Sequence, residues 1–177
     1  MRQINFASSK EIKEIKEILE VFTVLIVDDD VAIQEVTNII LEDFTHRDYK
    51  LNLIYANSET EAIKIIENTP NIAVIILDVV MESYDSGFKL VNYIRDIQKN
   101  KLVRIIIRTG QAGSISEKEA VVEYEINDYA DKTKLNSLEL FSKVVMAIRT
   151  YQELLTLHKE NDELKQIIKS SDVKTIE

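Results

Sequence analysis

The chain alternates short apolar runs with longer segments in which apolar residues recur at helical spacing. Three runs are apolar almost throughout, at 23–27, 73–77 and 103–107, and weaker ones lie at 51–56 and 126–130. Uniformly apolar runs are typical of strands covered on both faces, as in a parallel sheet. The pattern therefore predicts five strands, most of them buried.

Amphipathic segments between these runs predict the helices. Apolar residues near a 3.6-residue period, or Ser-x-x-Glu capping boxes, mark helices in 31–44, from 58 to before Pro70, in 87–99, from 116 to 124, and from 137 to at least 151. Five β-then-α units predict an α/β fold with a doubly wound parallel sheet. In such sheets the functional site usually lies at the carboxyl ends of the strands.

Two helical extensions flank this unit, so we divide the chain into residues 1–22, 23–150 and 151–177. The first contains KEIKEIKEILE at 10–20, which predicts a docked helix rather than a membrane anchor because its glutamates would repel anionic lipid. The last has residues at alternating spacings of three and four: Leu154, Leu157, Asn161, Leu164 and Ile168. This spacing predicts either a short coiled-coil homodimer, with Asn161 at an a position favouring parallel pairing, or a solvated linker helix.

Composition narrows the possible chemistry. The 177 residues contain no Cys and two His, which excludes disulfides, thiolate zinc sites and multi-histidine metal sites. Three glycines form no nucleotide-binding fingerprint. A net charge of −9 disfavours direct nucleic-acid binding, and without a long apolar run or signal peptide we expect no membrane association and a cytoplasmic location.

Charged and hydroxyl residues follow the predicted strands. Asp28 and Asp29 end the first, Asp78 the third and Thr109 the fourth, while Lys132 follows the fifth. Parallel strands end at one edge of a sheet, where crowded carboxylates would favour a hard divalent cation such as Mg²⁺. A carboxylate beside Mg²⁺, a hydroxyl and a lysine is suited to accepting a phosphoryl group.

Each of these residues also has an ordinary structural explanation. Aspartates after a strand often cap the next helix, Thr109 with Gly110 is compatible with a turn, and Lys132 lies in a solvated charged segment. For each residue considered alone, the structural explanation is favoured over a functional one. Their joint occurrence at four strand ends favours a functional site.

Four motifs together resemble the receiver domain of bacterial response regulators: LIVDDD at 25–30, LDVVM at 77–81, RTG at 108–110 and YADK at 129–132. The resemblance covers about 23–150. It implies a flavodoxin-like (βα)5 fold with parallel strand order 2-1-3-4-5, carrying here an extra N-terminal helix and a helical C-terminal extension.

The resemblance also implies a role for each matching residue. Asp78 would be the phosphoacceptor, with Thr109 as switch hydroxyl and Lys132 as the lysine that pairs with phosphate. Tyr129 would be the aromatic rotamer switch. The implied Mg²⁺ ligands are Asp29 directly, Asp28 mainly through bound water, Asp78, and the backbone carbonyl of Val80. Lys134 is a rival for the lysine role, although spacing from Tyr129 favours Lys132.

The sequence departs from the common receiver pattern at several positions. Glu82 and Thr133 stand where prolines are usual, so the loop after Lys132 is expected to be looser or trans, and the segment 82–87 is one residue longer. These departures resemble a subgroup whose receiver precedes a domain of unknown function and often an HD-GYP cyclic-di-GMP output domain. No such output domain lies in these residues, so we expect either a receiver with its linker or a stand-alone regulator.

The expected function is signal reception in a two-component system. A histidine kinase or phosphotransfer protein would phosphorylate Asp78, so the chain would be a phosphoacceptor rather than an enzyme. One alternative is an unphosphorylated pseudo-receiver scaffold. Another is a Mg²⁺-dependent phosphohydrolase, which would normally want an acidic residue two positions after the nucleophile, where this chain has Val80. Neither Val80 nor Gln111 supplies a general base for water.

Overall fold

The computed structural model describes residues 20–42, 45–46, 49–110 and 117–174. They form a six-stranded sheet in the order β2-β3-β1-β4-β5-β6. The strands are β1 (Glu20–Val27), β2 (Thr45–His46), β3 (Tyr49–Ala56), β4 (Ile72–Leu77), β5 (Arg104–Thr109) and β6 (Asp128–Asp131). All pairings are parallel except that of the two-residue edge strand β2 with β3. Without β2, the predicted order 2-1-3-4-5 is confirmed.

Helices cover both faces of the sheet, as a doubly wound fold requires. They are α1 (Val31–Glu42), α2 (Glu59–Asn68), α3 (Ser86–Asn92), α4 (Glu117–Glu123) and α5 (Ser137–Lys174), and a π-helical segment, Tyr93–Ile97, continues α3. Alternate strand residues contribute to two cores. One core lies under α2, α3 and α4, and the other lies under α1 and α5. None of the helices within the described ranges is long and apolar enough to cross a membrane.

Local hydrogen bonds explain where several helices begin. The Ser58 hydroxyl accepts a hydrogen bond from the Glu61 amide at 3.1 Å, confirming the predicted N-cap of α2. Helix α5 begins with an Asn-x-x-Glu capping box that was not predicted: the Asn136 side chain accepts from the Glu139 amide, and the Glu139 carboxylate accepts from the Asn136 amide.

Several predicted boundaries require correction. The helix predicted at 10–20 lies outside the described residues except for Glu20, which begins β1. The predicted last strand, 126–130, is displaced to Asp128–Asp131 because Glu125 has a positive φ of 49° and the Asn127 side chain binds the Ile105 amide at 2.8 Å. The helix predicted over 87–99 changes at Tyr93 to π-helical geometry. Phe44, Gln111 and Ser116 lie outside the described residues.

Arg95 lies within this π-helical segment. Its side chain is buried, and its guanidinium donates hydrogen bonds to the backbone carbonyls of Glu125, Asn100 and Val103. Burial is the main cause that lowers its pKa to about 10. The π-helical turn thus carries an arginine that ties the end of this helix to the loops before β5 and β6.

Candidate functional site

The strand register brings the predicted site residues to one edge. Val27 pairs with Leu77, and Leu77 pairs with Ile107, so Asp28 and Asp78 follow adjacent strands at the same level. Thr109, the last residue of β5, pairs with Asp131, the last residue of β6. Lys132 therefore leaves the sheet beside Thr109, and its amide donates to the Thr109 carbonyl at 2.8 Å.

Three carboxylates converge at this edge. One oxygen from each of Asp28, Asp29 and Asp78 lies within 4.8 Å of the others. Asp28 and Asp78 are buried, with exposed fractions of 3% and 6%, whereas Asp29 is exposed to solvent. An all-oxygen donor set that is open on one side suits Mg²⁺, which keeps several of its waters. Val80, the fourth predicted ligand, is half-buried in the loop just after Asp78.

Lys132 joins two of these carboxylates. Its Nζ lies 2.6 Å from Asp78 Oδ2 and 2.7 Å from Asp28 Oδ2, and its side chain is only 13% exposed. Burial acts to lower the pKa of Lys132, but the hydrogen bonds to both carboxylates outweigh it and raise that pKa. Lys134 is 82% exposed and pairs with Asp131 instead. The structure thus places Lys132, and not its rival, at the acidic cluster.

Asp28 is held from several directions. Burial raises its pKa, against the opposing effects of Lys132 and of the Asp30 amide, which donates to Asp28 Oδ1 at 3.1 Å. The Gln34 side chain, from α1, donates to the Asp28 carbonyl at 2.7 Å and also to the carbonyl of Ala56. Asp30 caps α1 by accepting from the Ala32 amide. The expected capping role therefore belongs to Asp30, while Asp28 faces the cluster.

The two predicted switch residues lie on neighbouring strands. Thr109 is buried at the end of β5, and Tyr129 is half-buried in β6, where it packs against the core beneath α2, α3 and α4. Gly110 follows Thr109, and a methyl group there would contact Lys132 Cδ at 3.8 Å, an ordinary packing distance. Thr109 and Gly110 therefore lie beside Lys132, whereas the Tyr129 ring packs against the core on the neighbouring strand.

Contacts of Glu82 and Gly87 hold the loop after Asp78. Glu82, in place of the usual proline, accepts a hydrogen bond from the Glu59 amide at 3.0 Å and so caps the first turn of α2. The Gly87 amide donates to the Val79 carbonyl at 3.0 Å. A Cβ on Gly87 would lie 2.3 Å from the Asp78 carbonyl oxygen. Only glycine lets α3 approach the Asp78 backbone this closely.

The loop after Lys132 is ordered without its usual proline. None of the described peptide bonds is cis, which includes the bond to Thr133. The Asp131 carboxylate accepts from the Thr133 amide and hydroxyl and pairs with Lys134. These contacts, with the Thr133 hydroxyl first, lower the pKa of Asp131 to about 2. The expected trans geometry is confirmed, but the loop is not loose.

Three residues near the site were not assigned a role from the sequence: Gln34, Gly87 and Arg108. Arg108 is buried on the α1 side of β5, and its Nη1 donates to the Thr37 hydroxyl at 2.5 Å. Burial lowers its pKa, opposed by the charges of Asp28 and Asp78. The sequence signal that could have identified it is the pair of arginines, Arg104 and Arg108, at the two ends of an apolar run in β5.

Comparisons with known proteins agree with this geometry. The sequence profile of the response regulator receiver domain matches residues 24–145. A relative from Vibrio cholerae, a 3'3'-cGAMP-specific phosphodiesterase 2, is 37% identical over 148 residues, which is 84% of this chain but 28% of the relative. This chain thus spans less than a third of that protein.

Solved structures support the same fold. The receiver domain protein from Clostridium thermocellum aligns with a TM-score of 0.63 at 24% identity, covering 75% of this chain and 98% of its own. The signal receiver domain of an HD domain-containing protein from Pseudomonas fluorescens Pf-5 aligns with a TM-score of 0.64 at 21% identity, covering 76% and 92%. With the matched profile and the parallel sheet, these findings show that the chain belongs to the response regulator receiver domain family.

Proposed function

We propose that this chain is a cytoplasmic phosphoacceptor that receives a phosphoryl group on Asp78 from a histidine kinase or phosphotransfer protein, with Mg²⁺ bound at the acidic edge. The observation that carries the proposal is the position of the Asp78 carboxylate, 2.6 Å from Lys132 Nζ and clustered with Asp28 and Asp29. A structural ion pair would need neither the third carboxylate nor the open side of the cluster.

The chemistry is the transfer of one phosphoryl group from a single donor, either a phosphoimidazole or an acyl phosphate, to the Asp78 carboxylate. A carboxylate oxygen of Asp78 forms a bond to phosphorus while the phosphorus bond to the donor breaks, and the donor leaves with that electron pair. Asp28, Asp29, Asp78 and the Val80 carbonyl would hold Mg²⁺, which neutralises charge on the phosphoryl oxygens when bound. Lys132 provides a second positive charge, already in place beside the acceptor.

The response to phosphorylation would use the β5–β6 side of the site. Thr109 lies at the end of β5, and its hydroxyl can donate a hydrogen bond to a phosphoryl oxygen on Asp78. Tyr129, one strand further, would follow into the space that Thr109 leaves, which remodels the surface formed by β5, α4, β6 and α5. This is a population shift between two packings, driven by hydrogen bonds that only the phosphorylated state makes.

Intact-mass measurement after incubation with acetyl phosphate and Mg²⁺ tests the proposal. We expect one metal-dependent phosphoryl addition that is lost in Asp78→Asn and retained in Asp96→Asn, a matched control on the exposed side of the π-helical turn. Labelling that persists in Asp78→Asn would overturn the assignment. No labelling of a folded wild-type protein would favour the pseudo-receiver scaffold.

The phosphohydrolase alternative is distinguished by turnover. Val80 stands where such an enzyme would carry an acid-base carboxylate, and the proposal therefore assigns stoichiometric phosphorylation rather than catalysis. Assays with small phosphoesters should show no release of phosphate beyond one equivalent per chain. The activity named for the Vibrio cholerae relative is not part of the proposal, because this chain spans 28% of that protein.

A further inference from the structure

Helix α5 continues well past the sheet that it covers. Its first part packs against the sheet through Val144, Ile148 and Tyr151, and Leu155 is the last residue that packs against this core. The helix nevertheless runs without a break to Lys174. Residues 157–170 of this second part are exposed throughout.

The apolar stripe of α5 changes position on the helix where the sheet ends. The stripe that packs on the sheet follows 144, 148, 151 and 155, and its continuation would fall on His158 and Asp162, which are polar. A new stripe begins one residue earlier, at Leu154, and continues through Leu157. One residue corresponds to a rotation of about 100° around the helix axis. The new stripe therefore faces a direction about 100° around the helix axis from the stripe that packs on the sheet.

The new stripe is markedly exposed for an apolar surface. Exposed fractions are 60% for Leu157, 58% for Leu164, and 60% and 61% for Ile167 and Ile168. An isolated helix of this length gains little stability from propensity alone and normally depends on packing of its apolar face. Apolar residues repeated at heptad spacing on an exposed helix are the pattern of a coiled-coil seam.

The charges beside the seam identify its partner. With Leu154 and Asn161 at a positions, Glu160 falls at g and Lys165 at e, while Glu153 falls at g and His158 at e. In a parallel pair of identical helices, each g residue faces the e residue of the partner's next heptad, which joins Glu160 to a second Lys165. In an antiparallel pair g faces g, and the glutamates would repel one another.

We propose that residues 154–168 form a parallel, in-register two-stranded coiled coil with a second copy of this chain. Asn161 at an a position supports the same arrangement, because a buried Asn pair favours two parallel strands in one register. Within the described part of the chain, Lys165 pairs with Asp162, in an exposed contact of 3.2 Å that the coil can replace at little cost. The coil depends on the helix and not on phosphorylation, so it stands apart from the proposed function.

The absence of cysteine from the sequence makes a direct test possible. In a parallel in-register coil, identical d residues face each other, so Leu157→Cys and Leu164→Cys should each form a disulfide-linked dimer on mild oxidation. The matched controls, Lys159→Cys and Gln166→Cys, lie two residues further along on the outer face and should remain mostly monomeric on a non-reducing gel. Circular dichroism verifies that each variant is folded.

The pattern of cross-linking decides the outcome. In an antiparallel coil a faces d, so identical residues meet only at the centre, and Leu157 and Leu164 could not both cross-link. Cross-linking at only one seam position, or equally at seam and outer positions, would overturn the proposal. Sedimentation equilibrium of the unmodified full chain should give twice the monomer mass. The double variant Leu157→Glu, Leu164→Glu should give the mass of a monomer. A monomeric wild-type chain would also overturn the coil.

Discussion

Substitution of Gly87 by alanine sets two physical effects against each other. Gly87 lies in the first turn of α3 and does not have a positive φ, so helix propensity alone predicts that alanine would stabilise the protein by up to ~1 kcal/mol. The geometry predicts the opposite. The added Cβ would lie 2.3 Å from the Asp78 carbonyl oxygen and 2.7 Å from Val79 Cα, and both atoms are backbone.

The steric effect should be the larger one. Because no flexible side chain can move aside, α3 or the Asp78 loop must shift, and overpacking of this kind costs about 1–3 kcal/mol. An overpacking cost near the middle of that range, about 2 kcal/mol, less the propensity gain of up to ~1 kcal/mol, should lower the free energy of unfolding of Gly87→Ala in urea by about 1 kcal/mol. The midpoint temperature of thermal unfolding should fall by about 2–4 °C for each kcal/mol of lost stability. Phosphorylation by acetyl phosphate should also slow, since the acceptor's own backbone is displaced.

Gly110→Ala provides the matched control. Among the described residues, its Cβ would meet Lys132 Cδ alone, at 3.8 Å, so the free energy of unfolding should change by no more than about 0.5 kcal/mol. Urea unfolding followed by far-UV circular dichroism compares both variants with the wild type. A Gly87→Ala protein as stable as the wild type, or more stable, would refute the steric reasoning.

Three further predictions concern charged groups around the site. Lys132→Met leaves the Asp28 and Asp78 carboxylates buried without their cation, so without divalent metal the free energy of unfolding should fall by about 3 kcal/mol in urea titrations; an unchanged value would contradict the pairing. Glu82→Ala removes the acceptor of the Glu59 amide while the Ser58 cap of α2 remains, and should cost about 0.5–1 kcal/mol, whereas Glu82→Gln, which keeps an acceptor, should recover part of that loss in the same assay. The lowered pKa of Asp131, about 2, means that its stabilising contribution is present above its ordinary pKa of 3.8 and is lost as pH falls through about 2. Carboxyl NMR titration should show this value, and Thr133→Ala should move it upward; an ordinary pKa in the wild type would exclude the proposed loop contacts.

The predicted fold followed from features that are local in the sequence. Runs 23–27 and 73–77 are apolar at every position or nearly so, because these strands are covered on both faces, and the structure confirms both within β1 and β4. Boundaries of helices and strands that depend on contacts between residues distant in sequence were harder to predict. The displacement of β6 depends on the Asn127 side chain reaching the Ile105 amide, and the π-helical turn accompanies the contacts of Arg95 with loops up to 30 residues away.

The residues of the candidate site likewise divide into those that local sequence features predict and those that depend on distant contacts. Its carboxylates and Lys132 each follow a strand, so the rule that parallel strands end at one edge was sufficient to bring them together. Gln34 and Arg108 act from α1 and the inner face of β5, and no spacing rule connects them to Asp28. The requirement for glycine at 87 depends on a distance between two backbone segments, which a single sequence does not encode in any visible motif.

The unbroken length of α5 makes it a lever arm. About 20 residues extend beyond Leu155, and at 1.5 Å per residue they reach roughly 30 Å from the edge of the sheet. A tilt of about 10° at the base of such a rod displaces its tip by about 5 Å, close to one helical turn. The base of the rod packs on β4 and β5, the strands that carry Asp78 and Thr109 at their ends. A small repacking at the acidic edge would therefore displace the C-terminal end of α5, and any segment packed against it, by several ångströms.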